Sequence, residues 1–267
     1  YATVLIKVAR ILKAASQIIP YKYVTEPSPD QDVFICRVLN DDLVVIPVSY
    51  EGHAITFVKY GKLFAKCDRG VKHIVDTVVI SEVGNPVALN ADFLKDLMYN
   101  HKSDEYINKD IKTILGLTPL TTLPARYQLS GNCSWANVEA SVPAMMFMLM
   151  FRGNLESRGE IAALKKSIME YYDTWVDWDK DRILNECIES FHDANKQKKA
   201  AKASILAAIL FQRCRASHKN EIERAKRILS ILILPEYNYI LKTYIKVYYT
   251  RMAGRLGEDF MEVLRAC

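Results

Sequence analysis

Between Val33 and Val83 the chain is a succession of short runs rich in Val, Ile, Phe and Tyr, whereas from Ser134 onward it carries almost no strand signal. The runs are VFICRVLN, DLVVIPVSY, HAITFVKY, KLFAKCD and HIVDTVVISEV, separated by turn residues. Connections this short join antiparallel neighbours, because parallel strands need long crossovers. The contrast predicts an α+β fold: a small, mostly antiparallel sheet of five strands, followed by an α-helical subdomain. The division falls near residue 152, giving an α+β domain over 1–152 and a helical subdomain over 153–267.

Helical periodicity also marks residues 2–19, NADFLKDLMYNH (with Asn90 as N-cap) and DEYINKDIKTIL. The proline-punctuated stretches PYKYVTEPSPDQD and GLTPLTTLPARY read as loops. CSWANVEASVPAMMFML reads as a central helix of the first domain. Its apolar part, VPAMMFMLMF, suits a buried helix and is too short to span a membrane. The opening segment is broken by Lys and Arg and lacks a signal peptide's pattern, so no membrane span is expected.

Half the residues are hydrophobic and a quarter charged, which supports a sizeable core and excludes disorder. The net charge of +5 is mild and does not imply nucleic acid. Six cysteines (36, 67, 133, 187, 214 and 267) are scattered without a CxxC pair or a Cys/His cluster, so no metal and no cofactor is expected. Their apolar or helical contexts suit reduced thiols and a reducing compartment, the alternative for an even count being three disulfides. The chain begins at Tyr1 rather than methionine, which fits a piece of something longer.

The segment YQLSGNCSWANVEA, residues 127–140, sets Cys133 at a helix start, where free backbone amides favour a thiolate. A nucleophilic cysteine needs a base, and the base needs an orienting group. His101, His192 and His218 lie in polar helical contexts and read as solvated; His73 has no evident partner. His53 is different. It follows Gly52 and opens two strand-like runs joined at Tyr60-Gly61. A tight turn at those two residues sets Lys59 opposite Lys62 and His53 opposite Asp68. A carboxylate there fixes the imidazole tautomer and presents the other nitrogen to a thiol. Gln128 is spaced to donate to an oxyanion, and Gly131 lets the chain turn tightly before Cys133. Trp135 either walls the site or fills the core.

His53, Asp68, Gln128 and Cys133, in that order, resemble the cysteine-protease clan that holds the adenovirus proteinase, the SUMO and ubiquitin-like proteases and many bacterial effector deubiquitinases. The spacing in QLSGNC is similar to that clan's oxyanion glutamine and nucleophile. The resemblance covers roughly residues 33–150 and implies a Cys-His-Asp thiol peptidase or isopeptidase acting on a host protein, ubiquitin or a ubiquitin-like protein among them. Asn132-Cys133-Ser134 departs from the clan's Asp-Cys-Gly, which leaves the substrate class open. The chain also resembles translocated effectors of intracellular bacterial pathogens, Legionella-like ones included, which implies secretion into the host cytoplasm. Two other functions share the scaffold: an effector acyltransferase with the same triad, and a non-enzymatic protease-like interaction module.

In the helical half, ten Lys/Arg at 196–227 (196, 198, 199, 202, 213, 215, 219, 224, 226 and 227) stand against three acids in and just before that stretch, 193, 221 and 223. This is either a solvated face or a patch for a phosphate or an acidic partner. Trp175 and Trp178 stand among acids in WVDWDKD, as a partner groove or as core.

Overall fold

A computed structural model of the chain describes residues 1–24, 28–70, 77–125, 133–151, 158–217, 219–251 and 255–267. Its contacts form two compact units, Tyr1–Asp173 and Thr174–Cys267. That boundary falls later than the one read near residue 152, inside the long helix α6 (Arg158–His192).

The first unit is α+β. Helix α1 (Ala2–Ile18) leads through a short 3-10 turn to α2 (Pro29–Leu39). Four strands follow: β1 (Leu43–Tyr50), β2 (His53–Tyr60), β3 (Leu63–Cys67) and β4 (Val78–Val83). Then come α3 (Ala91–Tyr99), a π turn leading into α4 (Ile111–Leu115), strand β5 (Leu117–Leu123) and α5 (Cys133–Met150). The strands form one antiparallel sheet in sequence order.

Two of the elements correct the sequence reading. VFICRVLN is a helix, not a strand. Ser28 accepts from the Gln31 backbone N–H, and the Gln31 side chain accepts from Ser28 in return. This capping box, with Pro29 in the first turn, starts a helix that buries Ile35, Val38 and Leu39, a helical spacing. GLTPLTTL, read as a loop, is the fifth strand. It lies at the sheet edge, where Pro119 can stand without breaking a central ladder, beside a register shift at Ile80/Ser81. Asn90 caps α3 as read, accepting from the Phe93 N–H at 2.9 Å.

One face of the sheet (Ile46, Val48, Ile55, Phe57 and Phe64) packs with residues of α2, α3 and α4. The other, with Val45, Val58 and Ala65, lies under α5, which also contacts α1. Met145, Met146, Phe147 and Met148 are fully buried there.

The second unit is helical: the end of α6, then α7 (Lys196–Arg213), α8 (Lys219–Leu232), α9 (Asn238–Arg251) and α10 (Arg255–Ala266). Leu184, Phe191, Leu206, Leu210, Phe211, Ile228 and Phe260 form its core. Trp178 is exposed and Trp175 half-buried. Several of the basic side chains are engaged internally. Arg224 is buried against Asp177 and Asp181, Lys226 pairs with Glu223, Lys202 donates to Ser190 and Arg227 to Asn185.

Candidate active site

Two hairpins place the histidine and the aspartate. Glu51 and Gly52 close the first, with φ of 45° and 79°. Positive φ at both positions is the type I′ pattern, which matches the twist of the strands it joins. Among the described residues Glu51 alone adopts positive φ without being glycine. The turn delivers His53 opposite Tyr50, whose ring meets the imidazole edge-on at 5.6 Å between centroids. Burial, and then the charge of Asp68, push the Tyr50 phenol up to about 12, so it stays protonated at neutral pH.

The second hairpin turns at Gly61-Lys62, with Tyr60 paired to Leu63. The turn therefore sits one residue later than Tyr60-Gly61, and every pairing moves by two. Glycine suits the first turn position, where φ is 53°. Continued past Thr56↔Cys67, this register sets Ile55 opposite Asp68 and His53 opposite Gly70. Side chains alternate with period two, so a shift of two leaves His53 and Asp68 on one face. They meet on the diagonal: His53 Nε2 lies 2.8 Å from Asp68 Oδ1.

The aspartate is almost fully buried and well supplied with donors. The Gly70 N–H donates to Oδ1 at 3.1 Å, and Lys66 Nζ stands 3.4 Å from Oδ2. A carboxylate at Nε2 accepts a hydrogen bond from that nitrogen's N–H and leaves Nδ1 as the basic nitrogen.

Cys133 is the first residue of α5 and Trp135 the third. Gln128, Gly131 and Asn132 lie outside the described residues, as do His73 and His218. One turn into α5, the fully buried Asn137 accepts from the Arg69 N–H at 2.7 Å and donates to the Ala54 carbonyl at 2.6 Å. The Arg69 guanidinium donates to the Ala136 carbonyl at 3.2 Å and to Glu139 at 2.9 Å. Ala54 follows His53 and Arg69 follows Asp68, so the neighbours of both residues are tied to the start of α5.

Sequence reading missed Asn137, Gly70, Tyr50 and Lys66. The available signal for Asn137 was an amide inside a mostly apolar helix, where asparagine is unfavourable without a partner. Four other thiols are shifted away from the thiolate. Burial pushes up Cys67, Cys187 and Cys267, and drives Cys214 to about 12. Among the described residues no cluster of His, Cys, Asp or Glu is placed to hold a metal, and no helix is long and apolar enough to cross a membrane.

No protein-family model matches the chain, and no curated protein does. Among solved structures there is a full-length match. The chain is similar to the Legionella effector AnkH. Identity is 34% and the TM-score 0.73, over 100% of this chain and 56% of AnkH. The chain thus spans little more than half the length of AnkH.

Proposed function

We propose that the chain is part of a bacterial effector delivered into host cells, and that its first unit is a thiol peptidase or isopeptidase acting on a host protein. The similarity to AnkH supports the first half of this reading. The second half is carried by one observation: a buried aspartate orients His53 through Nε2, while the residues beside both are bonded to the first turns of the helix that Cys133 begins.

In this reading His53 Nδ1 takes the thiol proton of Cys133. Asp68 holds the tautomer and stabilises the imidazolium that forms. The thiolate attacks a carbonyl carbon. The oxyanion is held by the Gln128 amide and by backbone N–H groups at the start of α5. The imidazolium then protonates the leaving amine, and water, deprotonated by His53, hydrolyses the thioester. Ubiquitin or a ubiquitin-like protein is the substrate class we favour.

A non-enzymatic module on the same scaffold is the competing reading. It draws on the packing of α5 against the sheet face opposite to His53 and Asp68. A panel of ubiquitin, ubiquitin-like and acetyl-donor probes separates the readings. Turnover of a ubiquitin-type probe that is lost in both Cys133→Ala and His53→Ala supports the peptidase. Acetyl transfer lost in the same variants replaces it with an acyltransferase. Labelling or turnover that survives Cys133→Ala overturns the assignment.

A further inference from the structure

We infer that Asn137 is a positioning residue of this site, a side-chain rung that parts β2 from β3 and holds the start of α5 in the gap. The inference rests on the thiol-hydrolase reading.

The ladder between β2 and β3 ends at Thr56↔Cys67. Continued in register, Ala54 and Arg69 would face each other and bond directly, backbone to backbone. They do not. The Arg69 N–H goes to Asn137 Oδ1 at 2.7 Å, and the Ala54 carbonyl accepts from Asn137 Nδ2 at 2.6 Å. A carboxamide carries the donor and acceptor of a peptide group, so Asn137 stands in for the missing rung and leaves neither backbone group unpaired. An apolar residue here would orphan a buried N–H and a half-buried C=O together.

The consequence for the site is geometric. Inserting a carboxamide between two strands holds them further apart than a direct hydrogen bond does. The parting begins one residue from His53 and one from Asp68. Asn137 reaches into the plane of the sheet from the α5 side, whereas His53 and Asp68 project from the other face. The opening it makes is therefore where the start of α5 and the imidazole can meet. Cys133 lies four residues before Asn137, one helical turn earlier in α5. Asparagine, with both a donor and an acceptor on a short stem, meets this requirement; leucine or alanine at the same helical position cannot.

The test is a double-mutant cycle read by the iodoacetamide alkylation rate of Cys133, followed by mass spectrometry across pH. Asn137→Ala should slow alkylation at pH 7 by roughly ten- to a hundredfold, the usual effect of misplacing a reactive group by about an ångström. It should also move the pH profile toward that of a free thiol. In a His53→Ala background, Asn137→Ala should change neither quantity, since the pairing it supports is already gone. A purely structural role would slow alkylation equally in both backgrounds, and that result overturns the proposal. An unchanged rate in the wild-type background overturns it as well. The parent reading fails separately, if His53→Ala alone leaves the alkylation rate of Cys133 untouched. If Asn137→Ala does not fold, Asn137→Asp goes through the same cycle. It keeps the size and the bond from Arg69 and loses the bond to Ala54, so the same outcomes decide.

Discussion

The imidazole of His53 lies directly over Gly70. A Cβ built on Gly70 would run into His53 Cε1 and stand 2.9 Å from Nε2. No real Cβ approaches a ring that closely, so a side chain at position 70 and the His53–Asp68 bond exclude each other. Gly70→Ala should fold, because the ring is partly exposed and free to swing away. We expect its turnover to fall by roughly a hundredfold, with the ring displaced from Asp68. Wild-type turnover in a folded Gly70→Ala protein would show that the observed ring position is not the working one.

The core under the site gives a second prediction. Met148 is fully buried in α5, among Met145, Met146 and Phe147. Met148→Asp would leave a carboxylate without a partner in an apolar layer. Its cost, several kcal/mol, is a large part of the roughly 5–15 kcal/mol that holds a domain together. Thermal unfolding followed by circular dichroism should show a melting temperature lowered by many degrees, or no folded protein. An unchanged melting temperature would mean that α5 is not buried.

Much of this architecture was legible in the sequence, and the failures have physical causes. The strands from β1 to β4 announced themselves by β-branched and aromatic runs, and α3 by its cap at Asn90. At VFICRVLN the β-branched composition pointed one way and the Ser28-Pro29 cap with Gln31 pointed the other; the cap and the spacing of Ile35, Val38 and Leu39 decided it. Pro119 hid β5, because an edge strand tolerates a proline that a central one does not. The His53–Asp68 contact was legible even though the turn was misplaced, since an error of two residues preserves the face. The partners of Asn137 were not legible, because they are backbone groups far away in sequence. The cap itself is testable. Ser28→Ala should cost about 1 kcal/mol of stability by removing one bond of the capping box, read as a lower urea midpoint at constant slope. No shift in that midpoint would show that the cap does not hold α2.

The second unit predicts an acid-sensitive stability. Arg224 is buried, and its guanidinium bonds to Asp177 and Asp181 hold both carboxyls below the ordinary aspartate range. A carboxyl whose folded value is lowered stabilises the fold above its unfolded value of about 3.9. That contribution is lost as pH falls through the folded values. Both aspartates are about half exposed, so solvent weakens the effect, and Arg224→Met should cost only about 1–2 kcal/mol at pH 7. The difference in urea midpoint between wild type and Arg224→Met should be largest at neutral pH and shrink below about pH 4. A difference that stays constant down to pH 2 would show that Arg224 acts through packing alone.

The cysteines offer the most direct check on the nucleophile. Cys67 is buried beside the negative charge of Asp68, and Cys187, Cys214 and Cys267 are all raised by burial. Each is therefore a protonated thiol at neutral pH. Cys36, half-buried on α2, serves as the comparison. A thiol at a helix start that pairs with an imidazole is expected to ionise well below an ordinary thiol. Limited iodoacetamide treatment at pH 7, followed by peptide mass spectrometry, should thus mark Cys133 before any other position, with a rate that persists below pH 7. In His53→Ala the same rate should fall and its pH midpoint rise toward about 8.5, because the paired cation is gone. If Cys36, Cys67 or Cys187 is modified faster than Cys133 in the folded protein, Cys133 is not the activated thiol and the His53–Asp68 pair serves some other purpose.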